Sequence, residues 1–251
     1  MSGHSKWHNI RERKGKADAQ KGKAFTKVAR EIIMAARQGG PNPDANFRLR
    51  LALLKARDVN MPKDNIERAI AKGTGQGGED QYEEAVYEGY GPGGVAMLLE
   101  IATNNRNRTA PDIRNLFGRY GGNLGESGCV AWMFEKKGLL TFSRTGLNED
   151  DLLSAALDAG ADDIKQDGDH LEIYTALGQF EDVKRSLEAK NFKPLSAELT
   201  MVPQNTVPVD RHTAGPLMKL LSALEENEDV QKVYANFEMD EQLIEELVAG
   251  N

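Results

Sequence analysis

Cysteine is nearly missing from this chain. Cys129 is the single one in 251 residues, so disulfide frameworks and Cys-ligated metal sites are excluded, and a reducing compartment fits. No apolar run reaches the ~18 residues of a membrane-spanning helix. The start, MSGHSKWHNIRERKGK, lacks the apolar core of a secretory signal. It is basic and nearly acid-free, as organelle transit peptides are, yet it runs into a patterned helix without a Ser-rich spacer. A cytoplasmic protein is therefore expected. Histidine is scarce too. His4 and His8 have the i, i+4 spacing of a metal pair but no third ligand nearby, while His170 and His212 open a strand and a helix. Carboxylates are plentiful, but none is paired in an apolar setting for acid–base work. Cys129 lies in an apolar stretch and reads as core. Neither a metal, a cofactor nor a catalytic residue is expected, and no small-molecule substrate or membrane partner is evident.

What is present is a strong separation of charge. Residues 1–72 carry 17 Lys/Arg against 7 Asp/Glu, a net of +10, whereas the rest carries 15 against 32, a net of −17. The overall −7 conceals this. Such asymmetry suggests a polyanion-binding end attached to an acidic body. The sign reverses at Gly73-Thr74-Gly75-Gln76-Gly77-Gly78, which is read as a domain boundary.

Before that boundary the pattern is helical. At about 100° per residue, Phe25, Val28, Ala29, Ile32 and Ala36 share a face, with Ile33 at its edge. Lys16, Lys23, Lys27, Arg30 and Arg37 fall on the opposite face, and Met34 projects into that basic stripe. Gly39-Gly40-Pro41 stops the helix. A second helix, about 45–59, follows Asp44 as N-cap and is apolar on two sides, as the middle of a small bundle would be. A third starts at Pro62 and runs to Gly73. Residues 1–14 have no apolar periodicity and are expected to be disordered until bound.

Beyond the boundary, strands and helices alternate. Strands are expected at 82–89 and 95–103, a helix from Thr109 with Asp112 completing a capping box, and a strand at 129–134. From 138 to 202 the order is βαββαβ, the ferredoxin-like order, with Asp167-Gly168 at the central hairpin. Strand 95–103, helix 109–119 and strand 129–134, together with strand 205–210, helix 214–225 and strand 229–237, form a second βαββαβ set split around the first. The expectation is an α+β chain: a helical bundle (1–78), a discontinuous α/β domain (79–136 and 205–251) and an inserted ferredoxin-like domain (137–204). An acidic helix at 240–249 closes the chain.

Two glycine-rich stretches, 89–94 and 121–125, read as turns requiring positive φ, because neither opens a helix nor carries the lysine of a phosphate loop. Asn104-Asn105-Arg106-Asn107-Arg108-Thr109 is open between simple capping and a secondary anion contact through Arg106 and Arg108. The basic segment is the main binding candidate. Lys6, Arg11, Arg13, Lys14, Lys16, Lys21, Lys23 and Lys27 surround Trp7 and His8, with Arg30 and Arg37 further along the helix. Cations neutralise phosphates while aromatic rings stack on exposed bases. Trp7 is either such a stacking residue or a staple onto the first helix.

These residues also carry a resemblance. Gly3-His4-Ser5-Lys6-Trp7, Lys21-Gly22-Lys23-Ala24-Phe25-Thr26-Lys27 and Asn60-Met61-Pro62-Lys63-Asp64-Asn65-Ile66 resemble the YebC/PmpR family. So do Tyr87-Glu88-Gly89-Tyr90-Gly91-Pro92-Gly93-Gly94, Asn105-Arg106-Asn107-Arg108-Thr109 and Gly121-Gly122-Asn123-Leu124-Gly125. The resemblance covers nearly the full length. It implies a helical domain and two α/β domains around a cleft, and one of two roles. One is a DNA-binding transcriptional regulator; the other is a ribosome-associated factor that eases translation of proline-rich stretches, as in the related mitochondrial translational activator of a cytochrome oxidase subunit.

Three functions are compatible with these residues to different degrees. A DNA reader would use the second and third helices as a helix-turn-helix, with Lys63, Asn65, Arg68 and Lys72 toward the bases, although no dimer seam is evident. An RNA-binding factor on the ribosome suits a basic arm carrying Trp and His, and the arm's reach without base-reading geometry favours this reading. An enzyme working in the interdomain cleft lacks a recognisable nucleophile, metal site or cofactor motif.

Overall fold

The computed structural model describes residues 21–75 and 82–249. Among the described residues three helices come first: α1 (Lys21–Gly39), α2 (Phe47–Asp58) and α3 (Lys63–Gly73). Val28, Ile32, Ile33 and Ala35 of α1 pack with Leu49, Ala52 and Ala56 of α2 and Ala69 of α3, while Phe25, Ile66 and Ile70 border this core. The turn between α1 and α2 is organised by Asn46. Its Oδ1 accepts from Leu49 N at 3.0 Å, and its Nδ2 donates to Ala35 O and Gly40 O, both at 2.8 Å. Asn46, and not Asp44, is therefore the N-cap of α2. An amide both accepts and donates, so it closes one helix and opens the next; a carboxylate at that position lacks the donors. Pro62 occupies the cap position of α3, one residue before the helix.

Then follow β1 (Glu83–Tyr90), a 3-10 turn (Pro92–Gly94), β2 (Ala96–Thr103), α4 (Arg106–Arg119) and β3 (Asn123–Leu124). The inserted segment comprises β4 (Phe134–Ser143), α5 (Glu149–Ala159), β5 (Asp163–Asp167), β6 (His170–Thr175), α6 (Phe180–Ala189) and β7 (Ser196–Pro203). The chain ends with β8 (Val207–Pro208), α7 (Arg211–Glu226), β9 (Val230–Ala235), β10 (Phe237–Glu238) and α8 (Glu241–Ala249).

Met133–Gln204 forms a compact unit of its own. Its sheet has the order β5-β6-β4-β7 with every neighbour antiparallel, which is the ferredoxin-like arrangement read from the sequence. Phe180 of α6 seats against Gly138 of β4, where a Cβ would stand 2.2 Å from the ring. Only glycine admits the aromatic ring there. Gly160, at φ +94°, ends α5 as expected.

The described residues of Gly3–Trp132 and Asn205–Asn251 form the second compact unit, in which the helices and the split sheet belong together. That sheet has the order β3-β1-β2-β9, and α4 and α7 share one core with it through Ile113, Phe117, Leu217, Leu221, Met97, Leu99 and Val233. Its pairing differs from the expected second βαββαβ set. β1 sits beside β2 in the middle, and β8 leaves the sheet to pair in parallel with β10. The expected strand at 129–134 is a turn and a 3-10 segment, with β4 starting only at Phe134. The amides that would have joined a ladder there are taken by a side chain, Glu88.

Candidate functional site

The side of α1 turned away from the helical core was expected to be a free basic face. It is instead a docking surface within its own unit. Lys27 Nζ donates to Glu225 O at 2.6 Å, and Arg37 Nη1 to Tyr82 O at 2.8 Å. Arg30 is only 7% exposed, and its guanidinium lies 5.1 Å from the Tyr82 ring centre. Its Nη1 donates to Asp229 Oδ1 at 2.9 Å and also bonds Glu228 O. One step along the helix, Glu31 pairs with Lys55 of α2 at 2.9 Å. Burial would raise the Glu31 carboxyl, but Lys55, Lys232 and Arg48 hold it below its ordinary range. Met34, the odd apolar member of the stripe, is buried. Its place there is explained: that side of α1 is partly an interior surface.

Asp229 is the centre of this arrangement. Its side chain is 7% exposed and receives Arg30 on one oxygen. The other oxygen takes Arg108 Nη2 at 2.8 Å, Thr109 Oγ1 at 2.7 Å and Thr103 Oγ1 at 3.3 Å. Burial would raise its pKa. The hydrogen bonds from Thr109 and Arg108 and the charges of Arg108 and Arg30 outweigh that and lower it. Helix α1, strand β2 and helix α4 thus meet on a single anion that precedes β9. Thr109 is inside α4 and not its cap; Asn105 caps the helix, accepting from Arg108 N at 3.2 Å. Thr103 and Asn105 are linked as well, the Asn105 amide donating to Thr103 Oγ1 at 2.9 Å.

A second carboxylate organises the opposite side of the split sheet. Glu88 of β1 is 3% exposed and accepts from the amides of Gly128, Val130 and Ala131 at 2.7, 2.8 and 2.7 Å. Burial opposes its charge, but the three amide donors prevail and lower its pKa. Burial, and next the Glu88 charge, push the Cys129 thiol up, away from the thiolate. The Cys129 carbonyl accepts from both Tyr90 Oη and Trp132 Nε1, each at 3.2 Å. The cluster is organised by hydrogen bonds to the Glu88 carboxylate and to the Cys129 carbonyl. It is a fixed loop carrying an exposed tryptophan.

Of the candidate binding residues, Lys6, Trp7, Arg11, Arg13, Lys14 and Lys16 lie outside the described residues, as do His4 and His8. Lys21 and Lys23 are in the first turn of α1. Lys27, Arg30 and Arg37 face partners of this chain, and Arg30 is removed from any surface role by its burial. Arg106 and Arg108, both about half exposed, are matched to carboxylates of their own. Arg106 Nε is 2.9 Å from Glu83 Oε2, and Arg108 reaches Asp229. Asp229, Glu88 and Trp132 were not singled out from the sequence. Asp229 is hidden within an acidic run, and Trp132 within an apolar stretch read as a strand. The presence of Glu88 in the motif Tyr87-Glu88-Gly89-Tyr90 was the one available signal.

Among the described residues, no group of three or more His, Cys, Asp and Glu side chains is placed to hold a metal ion. No described helix is long and apolar enough to cross a membrane.

Comparison with known proteins places these features. Residues 5–76 match the TACO1/YebC protein N-terminal domain, and residues 82–237 match the TACO1/YebC second and third domain. A "Probable transcriptional regulatory protein" of Carboxydothermus hydrogenoformans is 54% identical over 242 residues, covering 95% of this chain and 99% of that protein. One of Syntrophobacter fumaroxidans, with the same name, is 54% identical over 248 residues, covering 98% and 100%. The crystal structure of a conserved hypothetical protein from Aquifex aeolicus superposes with a TM-score of 0.83 at 48% identity, covering 90% of this chain and 93% of that one. With both halves matched and half of all positions identical along nearly the whole length, the chain belongs to the TACO1/YebC family.

Proposed function

We propose that this protein is a non-enzymatic, nucleic-acid-binding regulator of gene expression that grips RNA on the ribosome through its basic N-terminal end. The carrying observation is the charge separation: a net of +10 in residues 1–72 against −17 in the remainder. Phosphate attracts the first part and repels the second, so a nucleic acid engages one end of the molecule. The contacts of Lys27 with Glu225 O, of buried Arg30 with Asp229 and of exposed Arg37 with Tyr82 O refine this reading. They move the grip toward Lys6, Arg11, Arg13, Lys14 and Lys16, with Lys21 and Lys23 at the start of α1. Trp7 among these cations suits stacking on unpaired bases.

The names of the relatives favour a second reading, a regulator bound to promoter DNA. Helix α3 would then be the reading helix. On that helix Lys63 pairs with Glu67 at 3.4 Å, and Arg68 Nη2 donates to Asn65 Oδ1 at 2.9 Å. Exposed pairs of this kind are lost cheaply, so they do not bar contact with base edges, and experiment separates the two readings. Crosslinking in cells followed by sequencing of the attached nucleic acid decides between the two. Ribosomal RNA is the expected catch; promoter DNA would replace the first reading with the second, and neither would overturn both.

A further inference from the structure

The acidic part of the chain contains one basic helix. Helix α4 carries Arg106, Arg108, Arg114 and Arg119 with Asp112 as its single acid, a net of +3. The rest of residues 73–251 holds 11 Lys/Arg against 31 Asp/Glu. A reversal of sign confined to one helix is not the even mixture of an ordinary solvated face. Ile113 and Phe117 bury the inner side of α4 in the core of the split sheet, and the outward side presents Asn107, Arg108, Arg114, Asn115 and Arg119. At about 100° per residue, Arg108, Asn115 and Arg119 lie within about 40° of one another, a row of about 16 Å along the helix. Arg106 and Arg108 share their charge with Glu83 and Asp229, whereas no ion pair is formed by Arg114 or Arg119 among the described residues.

This row begins where the basic bundle docks. Arg108 of α4 and Arg30 of α1 hold the two oxygens of the Asp229 carboxylate, at 2.8 and 2.9 Å, within one compact unit. Lys21 and Lys23 start the helix to which Arg30 belongs, so cations from two distant stretches of sequence meet through one carboxylate. The chemistry of the face restricts its occupant. Guanidinium forks and side-chain amides suit phosphate oxygens. An interface with a protein has an apolar centre, and the exposed residues of α4 offer only Pro111 and Gly118 beside polar and charged groups.

We propose that the outward face of α4, through Arg114 and Arg119, is a second phosphate-contact surface for the same RNA that the basic N-terminal end holds. This inference rests on the nucleic-acid reading above and extends the grip to a helix outside residues 1–72. The probe is an end-labelled single-stranded RNA of about 20 nucleotides, with anisotropy read on the full chain between 50 and 200 mM salt. Each phosphate contact on a single strand contributes about 0.7 to the slope of log affinity against log salt. Arg114→Gln combined with Arg119→Gln should therefore lower the slope by about 1.4. That variant should bind about tenfold more weakly at 50 mM, a deficit that shrinks roughly sevenfold by 200 mM. Both side chains are exposed, so the fold should tolerate the changes. Arg114→Lys with Arg119→Lys keeps the charges and should keep most of the slope. Arg185→Gln with Lys193→Gln removes two exposed charges from the inserted unit and should leave the slope unchanged. A slope unaltered by the glutamine pair on α4, in a chain that still binds the RNA, overturns the second surface and leaves the parent reading in place. An equal drop in the Arg185 and Lys193 control does the same, since net charge alone would then explain the effect. A full chain without affinity for the RNA overturns both.

Discussion

The two compact units of this protein are held together in different ways. In the inserted unit, the ferredoxin-like sheet closes over its helices with apolar contacts such as Leu140, Phe142, Ile173 and Phe180, all nearly or fully buried. Ion pairs such as Arg185–Asp182 and Arg144–Glu149 decorate its surface. In the other unit, the helical bundle is tied to the split sheet by a buried guanidinium–carboxylate pair, Arg30–Asp229, with side chains 8% and 7% exposed. A surface pair contributes little and can be lost cheaply; a buried one is costly to break because the survivor is left charged in a dry site. The bundle is therefore docked through a buried ion pair, whereas the inserted unit buries the Glu172 carboxylate against the Tyr174 hydroxyl within one strand and carries the ion pairs named above at its surface.

Substitutions should expose that contrast. Asp229→Ala removes the buried carboxylate that faces Arg30 and should destabilise its unit by up to about 3–5 kcal/mol, the range for a broken buried pair, less what the remaining partners of Arg30 at Ala102 O and Glu228 retain. Chemical denaturation with hydrogen exchange resolved by segment would show protection lost in α1, β2 and α4 while β4–β7 is spared. Equal loss in both units would erase the distinction. Glu88→Gln replaces one amide-accepting oxygen by a donor facing amide donors. It should cost about 1.5–3 kcal/mol, seen first as faster exchange at Gly128, Val130 and Ala131. Gly138→Ala attacks the apolar counterpart by forcing a Cβ against Phe180; about 1–3 kcal/mol of destabilisation should appear in the inserted unit. Arg48→Ala removes the half-exposed pair with Glu84 and should cost less than about 1 kcal/mol.

Acid provides a graded version of the same comparison. Asp229 and Glu88 have lowered pKa values in the fold, so the folded state binds their protons less readily than the unfolded chain. Their stabilisation is fully present above the ordinary carboxylate range of about 4, and is lost as pH falls through the lower folded values. Thermal scans from pH 7 downward should hold steady until that range and then fall. The fall should be absent from the Asp229→Asn and Glu88→Gln double variant to the extent that these two groups cause it.

The same contrast accounts for what the sequence disclosed. The helices at 21–39 and 149–159, the βαββαβ run and the Gly160 stop follow from local periodicity and turn chemistry, and local rules suffice to find them. What escaped was non-local. Arg30 reads as a surface cation because helical spacing knows only its own helix; its partner lies 199 residues away. Residues 129–134 read as a strand because their apolar character is visible, and the carboxylate that collects the amides of Val130 and Ala131 from 42 and 43 residues earlier is not. Thr109 with Asp112 imitates a capping box, whereas the threonine hydroxyl turns to Asp229. In each instance a single polar side chain from a distant element outweighed a pattern that was locally correct.

The cationic end is the part of the molecule assigned to hold the nucleic acid. The direct measurement is the affinity of the full chain for single-stranded RNA as a function of salt, beside a chain with Lys6, Arg11, Arg13, Lys14 and Lys16 replaced by alanine. With about six phosphates engaged, binding should weaken roughly a thousandfold between 50 and 200 mM salt, and the five replacements should remove most of that slope. A flat salt response, or a slope unchanged by the replacements, would contradict it.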